Sequence, residues 1–324
     1  MAALDAPKRV AVLSRSFSRH PVLRAELQKH YPDAKFNDTG RTLAKEELAE
    51  FLAGYDGAIV ALERLDDQAL EAMPTLKVLS KYGVGLDNID LSAASRRAIR
   101  VGWRGGVNKH SVAELAIALM IALLHRVPQA ADEVRSGHWR QLKGRELGGQ
   151  TVGVLGCGHV GQEVVRLLAP FKCKILSHDM RDFPDFYAEY RVTPVSLEDL
   201  FRNSAIVTIH LPSTAATWRI VNDRLLGLMQ PEAVLVNLAR GGLVDEAALK
   251  ARLIDGSLAA AAFDVFESEP PVDKELLNLP NMLATPHIGG SSEEAVLAMG
   301  RAAIEGLFEA RDPLEEGYIP VWVR

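Results

Sequence analysis

The feature that most constrains the fold of this chain is a glycine-rich turn between a short apolar strand and a helix. The run TVGVLGCGHVG begins at Thr151 and places Gly156, Gly158 and Gly161 at G-x-G-x-x-G spacing. The first glycine permits a tight turn, the second lets the backbone approach a pyrophosphate, and the third lets the helix pack closely on the strand. Strand, turn and helix in this order predict a dinucleotide site with its phosphates at the helix N-terminus.

The residues after the turn strengthen this prediction. We expect a helix over Gln162–Ala169 and a second strand over Lys174–Ser177, followed by Asp179. An acid at this offset binds the adenosine ribose hydroxyls and repels a 2′-phosphate, which favours NAD over NADP. Arg181, two residues on, could accommodate that phosphate, but a solvated surface arginine is the simpler interpretation.

Composition and charge exclude several classes of protein. The chain has 324 residues, 48% hydrophobic and 24% charged, which suits two globular domains. A net charge of −5 and a pI near 6.0 argue against binding nucleic acid or an anionic membrane, so a small molecule is the expected partner. Cys157 and Cys173 show neither metal-ligand spacing nor a disulfide framework, so we expect no metal.

The expected location is the cytoplasm. Two cysteines without a disulfide framework suit a reducing compartment, and the amino terminus shows no segment typical of a signal peptide. The longest apolar run, Leu115–Leu124, is too short to span a bilayer and predicts a buried core helix. Ser111 is expected to cap that helix, with Glu114 completing a capping box.

Apolar strands alternate with amphipathic helices along the chain. Arg9–Leu13, Gly57–Leu62 and Val78–Ser80 predict strands of a first α/β domain. Near-continuous apolar runs in the second half are typical of strands buried on both faces: Ala205–Leu211, Val234–Leu238, Leu258–Phe263 and Met282–Thr285. The fold class is therefore α/β with parallel sheets covered on both faces.

A last helix, Ser292–Glu309, follows the final strand of the second half and has no partner strand of its own, so we expect it to return to the first domain. The domain boundaries then fall near Gly105 and Gly289. Residues 1–105 plus 289–324 form one discontinuous domain, and residues 106–288 form the dinucleotide domain.

Two loops of the first domain, Lys81–Leu91 and Arg104–Glu114, follow strand ends. Ligands of open α/β sheets bind beyond the carboxyl ends of the strands, so the glycines in these loops predict a close approach of backbone to substrate. Ordinary turn chemistry is the alternative.

Three later strands each precede one ionisable residue: Arg240 in NLARGG, Glu269 in DVFESEPP and His287 in TPHIGG. Singly, these are typical of a surface ion pair, a solvated loop and a structural histidine. Together they match hydride chemistry on a 2-oxo acid. Arginine binds a carboxylate and carbonyl through two hydrogen bonds. Histidine, with a pKa of about 6.5, donates the proton, and a carboxylate beside it favours the imidazolium.

Long motifs resemble the D-isomer-specific 2-hydroxyacid dehydrogenase family, and most of all its phosphoglycerate-dehydrogenase-like branch. They cover nearly the whole chain: YGVGLDNIDL, NKHSVAELAIALMIALLHR, SGHW, VGVLGCGHVG, HLPSTAAT, LVNLARGGLVDEAAL, AAFDVFESEPP and TPHIGGSSEEA. The resemblance implies two doubly wound parallel-sheet domains, a flavodoxin-like substrate domain and an inserted Rossmann NAD domain, with a cleft between them closed by hinge motion. It also implies a homodimer built through the inserted domain, in which Trp139 reaches the neighbouring site or is a structural anchor.

The same resemblance implies roles for individual residues. Arg240 binds the substrate carboxylate and carbonyl, Glu269 partners the histidine, His287 is the general acid/base, and Asp264 binds the nicotinamide carboxamide. The further cofactor residues are Gly156, Gly158, His159, Val160, Gly161, Asp179, Pro212, Thr217 and Ala239. The further substrate residues are Lys81, Tyr82, Gly83, Val84, Gly85, Arg104 and Asn108.

One departure from the family pattern concerns the substrate. Phosphoglycerate-specific members place an arginine-serine pair after the second strand of the substrate domain, whereas this chain has Val60-Ala61-Leu62-Glu63-Arg64. Lys81, Arg104 and Arg64 predict an anionic distal group of another kind, unless all three are solvated.

The predicted function is NAD-dependent interconversion of a D-2-hydroxy acid and its 2-oxo acid. 3-Phosphoglycerate dehydrogenase proper and glyoxylate/hydroxypyruvate reductase are alternatives, and formate or phosphite oxidation is another. An NAD-sensing corepressor-like binding protein is the alternative of a different class.

Overall fold

A computed structural model describes residues 6–320 of the chain. The contacts divide it into two compact units. Residues up to Asn108 together with those from Glu293 onward form unit 1, and Lys109–Ser292 form unit 2.

Unit 1 contains a five-stranded parallel sheet in the order β2-β1-β3-β4-β5. Every residue of β1, β3 and β4 is buried, because helices cover both faces of a parallel sheet. Its strands are β1 Val10–Val12, β2 Lys35–Phe36, β3 Gly57–Val60, β4 Val78–Lys81 and β5 Arg100–Gly102. Its first five helices are α1 Arg15–Arg19, α2 Pro21–Gln28, α3 Lys45–Phe51, α4 Asp67–Glu71 and α5 Leu91–Arg96.

Unit 2 contains a seven-stranded parallel sheet in the order β12-β11-β10-β9-β6-β7-β8. Its strands are β6 Thr151–Leu155, β7 Lys174–His178, β8 Thr193–Pro194, β9 Ile206–Ile209, β10 Val234–Asn237, β11 Ala260–Phe263 and β12 Met282–Ala284. Its helices are α6 Lys109–Leu124, α7 Val127–Arg135, α8 His159–Leu168, α9 Pro184–Tyr190, α10 Leu197–Asn203, α11 Asp223–Leu226, α12 Glu246–Asp255 and α13 Lys274–Leu277. The prediction of two parallel-sheet α/β domains is confirmed.

Helix α6 contributes to one of the two hydrophobic cores of unit 2. The expected capping box at its start is wrong, because the helix already begins at Lys109 and Ser111 lies inside its first turn. The Ser111 hydroxyl donates instead to the carbonyl of Gly289 at 2.6 Å. Within the described residues no single helix is long and apolar enough to cross a membrane, although α6 and α7 together, bent by 63°, meet the length and composition test.

The last helix, α14 Glu293–Glu309, belongs to unit 1. It packs on β3, β4 and β5. The buried hydroxyl of Ser80 on β4 donates to the carbonyl of Ala303 at 2.6 Å, which fixes the helix against the sheet. The end of the described chain thereby joins the core built by its beginning.

Candidate active site

The three predicted catalytic side chains follow neighbouring strands of unit 2. Arg240 comes after β10, Glu269 after β11 and His287 after β12, and these strands are adjacent in the sheet. Because all three strands run parallel, their carboxyl ends meet at one edge. The structure therefore brings together three residues, the first and last of which, Arg240 and His287, are 47 positions apart in the sequence.

His287 and Glu269 form a direct pair. Nδ1 of His287 lies 2.8 Å from Oε2 of Glu269, so the imidazole donates to the carboxylate and leaves Nε2 for another partner. This hydrogen bond raises the pKa of His287 above its ordinary value and outweighs partial burial, which lowers it. Burial alone would raise the pKa of Glu269, but His287 and Arg240 lower it below its ordinary value. The pairing with Glu269 therefore favours the protonated form of the His287 imidazole.

Asp264 holds the turn that carries His287. Its side chain is buried, and its oxygens accept hydrogen bonds from the Thr285 hydroxyl (2.6 Å) and from the amides of Ile288 (2.8 Å) and Gly289 (2.7 Å). His287 has φ +54°, a left-handed conformation that is uncommon for residues other than glycine. The hydrogen bonds of Asp264 on both sides of the histidine maintain that conformation.

A second turn presents Arg240. The buried amide of Asn237 donates to the carbonyl of Arg240 at 2.9 Å and accepts from the amide of Ala239 at 3.0 Å. Gly241 follows, and a Cβ there would lie 1.8 Å from the carbonyl carbon of Phe266. The two loops after β10 and β11 therefore pack backbone to backbone, which places Arg240 close to Glu269.

The glycine turn has the shape that a dinucleotide requires. Gly156 has φ +93°, and a Cβ there would meet the backbone of His210 at 2.8 Å. A Cβ on Gly161 would lie 2.0 Å from the carbonyl oxygen of Gly156, so helix α8 packs directly on the turn. Among the described residues no side chain caps α8, whose first residues are His159 and Val160. Its amino-terminal amides are thus available to a phosphate.

Asp179 lies beside this turn, after β7. Its carboxylate accepts from the amide of Cys157 at 2.7 Å and from the amide of Arg181 at 2.8 Å. The Arg181 guanidinium also lies near it, with Nε 3.5 Å from Oδ1. The end of β7 beside the glycine turn therefore carries both an acid and an arginine.

The loop after β9 contains the remaining predicted cofactor residues. The hydroxyl of Thr217 donates to the carbonyl of Pro212 at 2.7 Å and closes this loop on itself. His210, which sequence reasoning missed, lies at the same strand end with Nε2 2.9 Å from the Thr208 hydroxyl. Burial lowers the pKa of His210 to about 3, so this second histidine stays neutral. The only sequence signal for it is its position directly after a buried strand.

In unit 1 the predicted substrate residues follow β4 and β5. Gly83, Val84 and Gly85 form a partly exposed turn in which the Val84 carbonyl accepts from the indole of Trp103 at 2.9 Å. Tyr82 is buried, with its ring edge on Phe17. A ring contact just before this turn and a hydrogen bond at its middle residue thus hold the turn in place.

Two of the three polar residues that unit 1 is predicted to contribute to the substrate site already have partners within the protein. Lys81 is buried and its ammonium donates to Asn88 at 2.6 Å. Arg104 forms ion pairs with two glutamates of α14, at 2.6 and 3.2 Å. Asn108 ends the first segment of unit 1, and its Oδ1 is buried without a hydrogen-bond partner among the described residues. Of this set, only Asn108 thus offers a buried polar atom still to be satisfied.

Comparison with known proteins identifies the family. Residues 117–289 match the sequence model described as D-isomer specific 2-hydroxyacid dehydrogenase, NAD binding domain. This chain belongs to that family. It is accordingly an oxidoreductase that uses NAD and acts on the CH–OH group of D-2-hydroxy acids.

Individual relatives are similar over most of the chain. Hydroxypyruvate reductase of Thermotoga maritima is 37% identical over 278 residues, which cover 84% of this chain and 90% of that protein. D-3-phosphoglycerate dehydrogenase of Methanocaldococcus jannaschii is 39% identical over 268 residues, which cover 81% of this chain but 51% of that protein. This chain therefore spans about half the length of that relative.

Among solved structures, D-lactate dehydrogenase of Aquifex aeolicus complexed with NAD and lactic acid aligns with a TM-score of 0.80 and 25% identity. The alignment covers 92% of this chain and 93% of that one.

Proposed function

We propose that His287 is the general acid and base of the reaction, that Glu269 sets its charge and orientation, and that Arg240 binds the carboxylate and carbonyl of the 2-oxo acid. Nδ1 of His287 is bonded to Glu269, so Nε2 is the atom that gives a proton to the carbonyl oxygen or takes it from the hydroxyl. Bound NAD supplies the hydride donor or acceptor. The observation that carries the proposal is the 2.8 Å bond between His287 and Glu269 beside a strand-end arginine.

Arg240 orients the substrate. A guanidinium offers two parallel donors, which suit a carboxylate and the adjacent carbonyl of a 2-oxo acid. Its positive charge also stabilises negative charge that develops on the carbonyl oxygen. The turn fixed by Asn237 holds this fork in place before the substrate arrives.

The NAD site is proposed at Gly156, Gly158, His159, Val160 and Gly161, with Asp179 on the adenosine ribose. Pro212, Thr217, Ala239 and Asp264 extend it toward the nicotinamide. For Asp264 the bonds to the histidine turn support a positioning role at least as strongly as contact with the carboxamide.

Unit 1 is proposed to contribute the rest of the substrate site. In this proposal residues 1–105 plus 289–324 are the substrate domain and residues 106–288 the NAD domain. The backbone of Val84 and Gly85 binds the substrate carboxylate, and Lys81, Tyr82, Gly83, Arg104 and Asn108 line the pocket.

The test of this function is the oxidation of NADH, followed by absorbance, with a panel of 2-oxo acids. Hydroxypyruvate, glyoxylate, 2-oxobutyrate and phosphohydroxypyruvate cover the main substrate classes of the relatives. We expect turnover with at least one of them and a preference for NADH over NADPH, because Asp179 repels a 2′-phosphate. No turnover with any member would refute the proposal and favour an NAD-sensing binding protein.

A homodimer is proposed to form through unit 2. None of the residues of α7 is buried, and beyond it Trp139 is 86% exposed. An exposed apolar surface of this kind is typical of an interface. Sedimentation or light scattering at micromolar concentration tests it, with a monomer as the contradicting result.

A cytoplasmic location is proposed from the state of the two cysteines. Cys157 and Cys173 are both free thiols, as suits a reducing compartment. Fractionation of cells that express the protein tests this proposal.

A further inference from the structure

The turn after β3 lies at the carboxyl edge of the unit 1 sheet, where ligands of open α/β sheets bind, and it contains the protein's own buried carboxylate. After β3 the chain continues through Ala61 and Leu62 to Glu63, which is 2% exposed. Oε2 of Glu63 accepts a hydrogen bond from the amide of Ala61 at 2.8 Å. Backbone amides at such turns are the groups that usually hold phosphates and carboxylates. The first amide beyond β3 is therefore already satisfied by a negative charge.

The cations near this edge have partners within unit 1. The Lys81 ammonium donates to the carbonyl of Ala61 and to Oδ1 of Asn88. The amide of Asn88 donates in turn to the carbonyls of Ala61 (3.1 Å) and Glu63 (2.6 Å). Lys81 thus stabilises the turn itself.

The two arginines of the expected basic cluster are engaged as well. Arg104 is paired with Glu305 and Glu309 of α14. Arg64 is 81% exposed and lies 4.0 Å from the carboxylate of Asp66. An anionic group of a ligand would have to compete with these carboxylates for either arginine.

The side chain that this turn does present outward is apolar. Leu62 is 69% exposed, between the buried end of β3 and the buried carboxylate of Glu63. A ligand group near this turn would meet an isobutyl side chain and, behind it, a buried carboxylate and a buried ammonium that are both bonded to Ala61. Because Glu63 offsets the charge of Lys81, an anionic group placed there would lose its hydration without gaining an uncompensated positive charge.

We propose that Glu63 and Leu62 determine substrate specificity and select 2-oxo acids whose distal group is uncharged. The inference rests on the proposed function and names the substrate class of the same site. It reverses the expectation of an anionic distal group based on Lys81, Arg104 and Arg64, and it disfavours phosphoglycerate dehydrogenase proper. Glu63 acts by excluding a second anion, and Leu62 by contacting the uncharged group.

The first experiment compares kcat/KM for matched substrates of the full chain with NADH. Hydroxypyruvate and 2-oxobutyrate represent uncharged distal groups, and phosphohydroxypyruvate and oxaloacetate represent anionic ones. We expect the uncharged pair to be preferred by about tenfold or more, because an anionic distal group loses hydration at this turn without gaining an ion pair. Preference for either anionic substrate overturns the inference while leaving the proposed function intact. If none of the four substrates is turned over, and glyoxylate is not either, the proposed function itself is refuted.

The second experiment changes the two residues. Glu63→Gln keeps an oxygen that accepts from Ala61 but removes the charge, and Leu62→Arg adds a cation at an exposed position where folding is not at risk. Each is expected to raise the ratio of kcat/KM for phosphohydroxypyruvate over hydroxypyruvate by about tenfold.

Glu71→Gln is the matched control, because Glu71 is an exposed glutamate of the same unit on α4. It removes the same charge away from the turn and is expected to leave that ratio unchanged. An unchanged ratio in both test variants, or an equal change in the control, overturns the inference.

Discussion

Replacing Gly241 by alanine is expected to impair catalysis by separating Arg240 from the histidine pair. A Cβ at this position would lie 1.8 Å from the carbonyl carbon of Phe266 and 2.2 Å from the amide nitrogen of Glu267. Carbon atoms in contact are about 3.5–4.0 Å apart, so the loops after β10 and β11 must move apart by roughly 1.7–2.2 Å. Glu269 follows Glu267 by two residues and moves with this backbone.

The expected loss of activity is much larger than the loss of stability. A displacement of about 1 Å at reacting groups costs on the order of 100-fold in rate. Overpacking costs about 1–3 kcal/mol, which leaves a domain of ordinary stability folded. We therefore expect Gly241→Ala to lower kcat/KM for the 2-oxo acid by about 100-fold or more. The NADH dissociation constant should change much less than kcat/KM, because the glycine turn after β6 is untouched.

The assay is steady-state NADH oxidation with the best substrate of the panel, alongside thermal unfolding and NADH titration by fluorescence. Gly148→Ala is the matched control in unit 2, since a Cβ there meets its nearest neighbour, the Phe171 carbonyl oxygen, at an ordinary 3.4 Å. Activity of Gly241→Ala within twofold of the parent would refute the reasoning. A control that loses as much activity would do the same.

Three further variants test other parts of the site. Glu269→Gln removes the charge that raises the pKa of His287, so the imidazolium is lost at a lower pH. The pH above which 2-oxo acid reduction declines should therefore move lower, and an unchanged pH profile would contradict this role of Glu269. Asp264→Asn disturbs three hydrogen bonds of a buried carboxylate, so it should lower the free energy of unfolding by about 1–3 kcal/mol in denaturant and also lower turnover; an unaltered free energy of unfolding would contradict this. Asp179→Asn should increase the affinity for NADPH relative to NADH in fluorescence titrations, and no change in that ratio would remove the acid from cofactor selection.

The strands and the order of the elements could be predicted because parallel strands buried on both faces are continuous apolar runs. Short elements could not be predicted. Lys35–Phe36 and Thr193–Pro194 are strands of two residues whose state depends on the neighbouring strand. The start of α6 was wrong because Ser111 has a good capping sequence but bonds to Gly289, far along the chain. Local propensity cannot reveal such a partner.

The residues proposed for catalysis could be found because each follows a buried strand, and strand ends of a parallel sheet converge. Residues that act by holding others could not. Asn237 and Asp264 resemble ordinary turn residues until their hydrogen bonds are known. Glu63 is a similar case: in sequence it is one more charge near Arg64, whereas in the fold it is buried and bonded to Ala61. Burial of a charge depends on tertiary packing, which no short window of sequence contains.

The most direct test of the central proposal is the turnover number of His287→Ala with NADH and the preferred 2-oxo acid. We predict a loss of roughly two to four powers of ten, the usual contribution of acid/base catalysis, with NADH affinity close to that of the parent. His125→Ala, which changes an exposed histidine of unit 2, should keep the parent's turnover number. A His287→Ala variant that remains fully active would contradict the assignment of this histidine as the proton carrier.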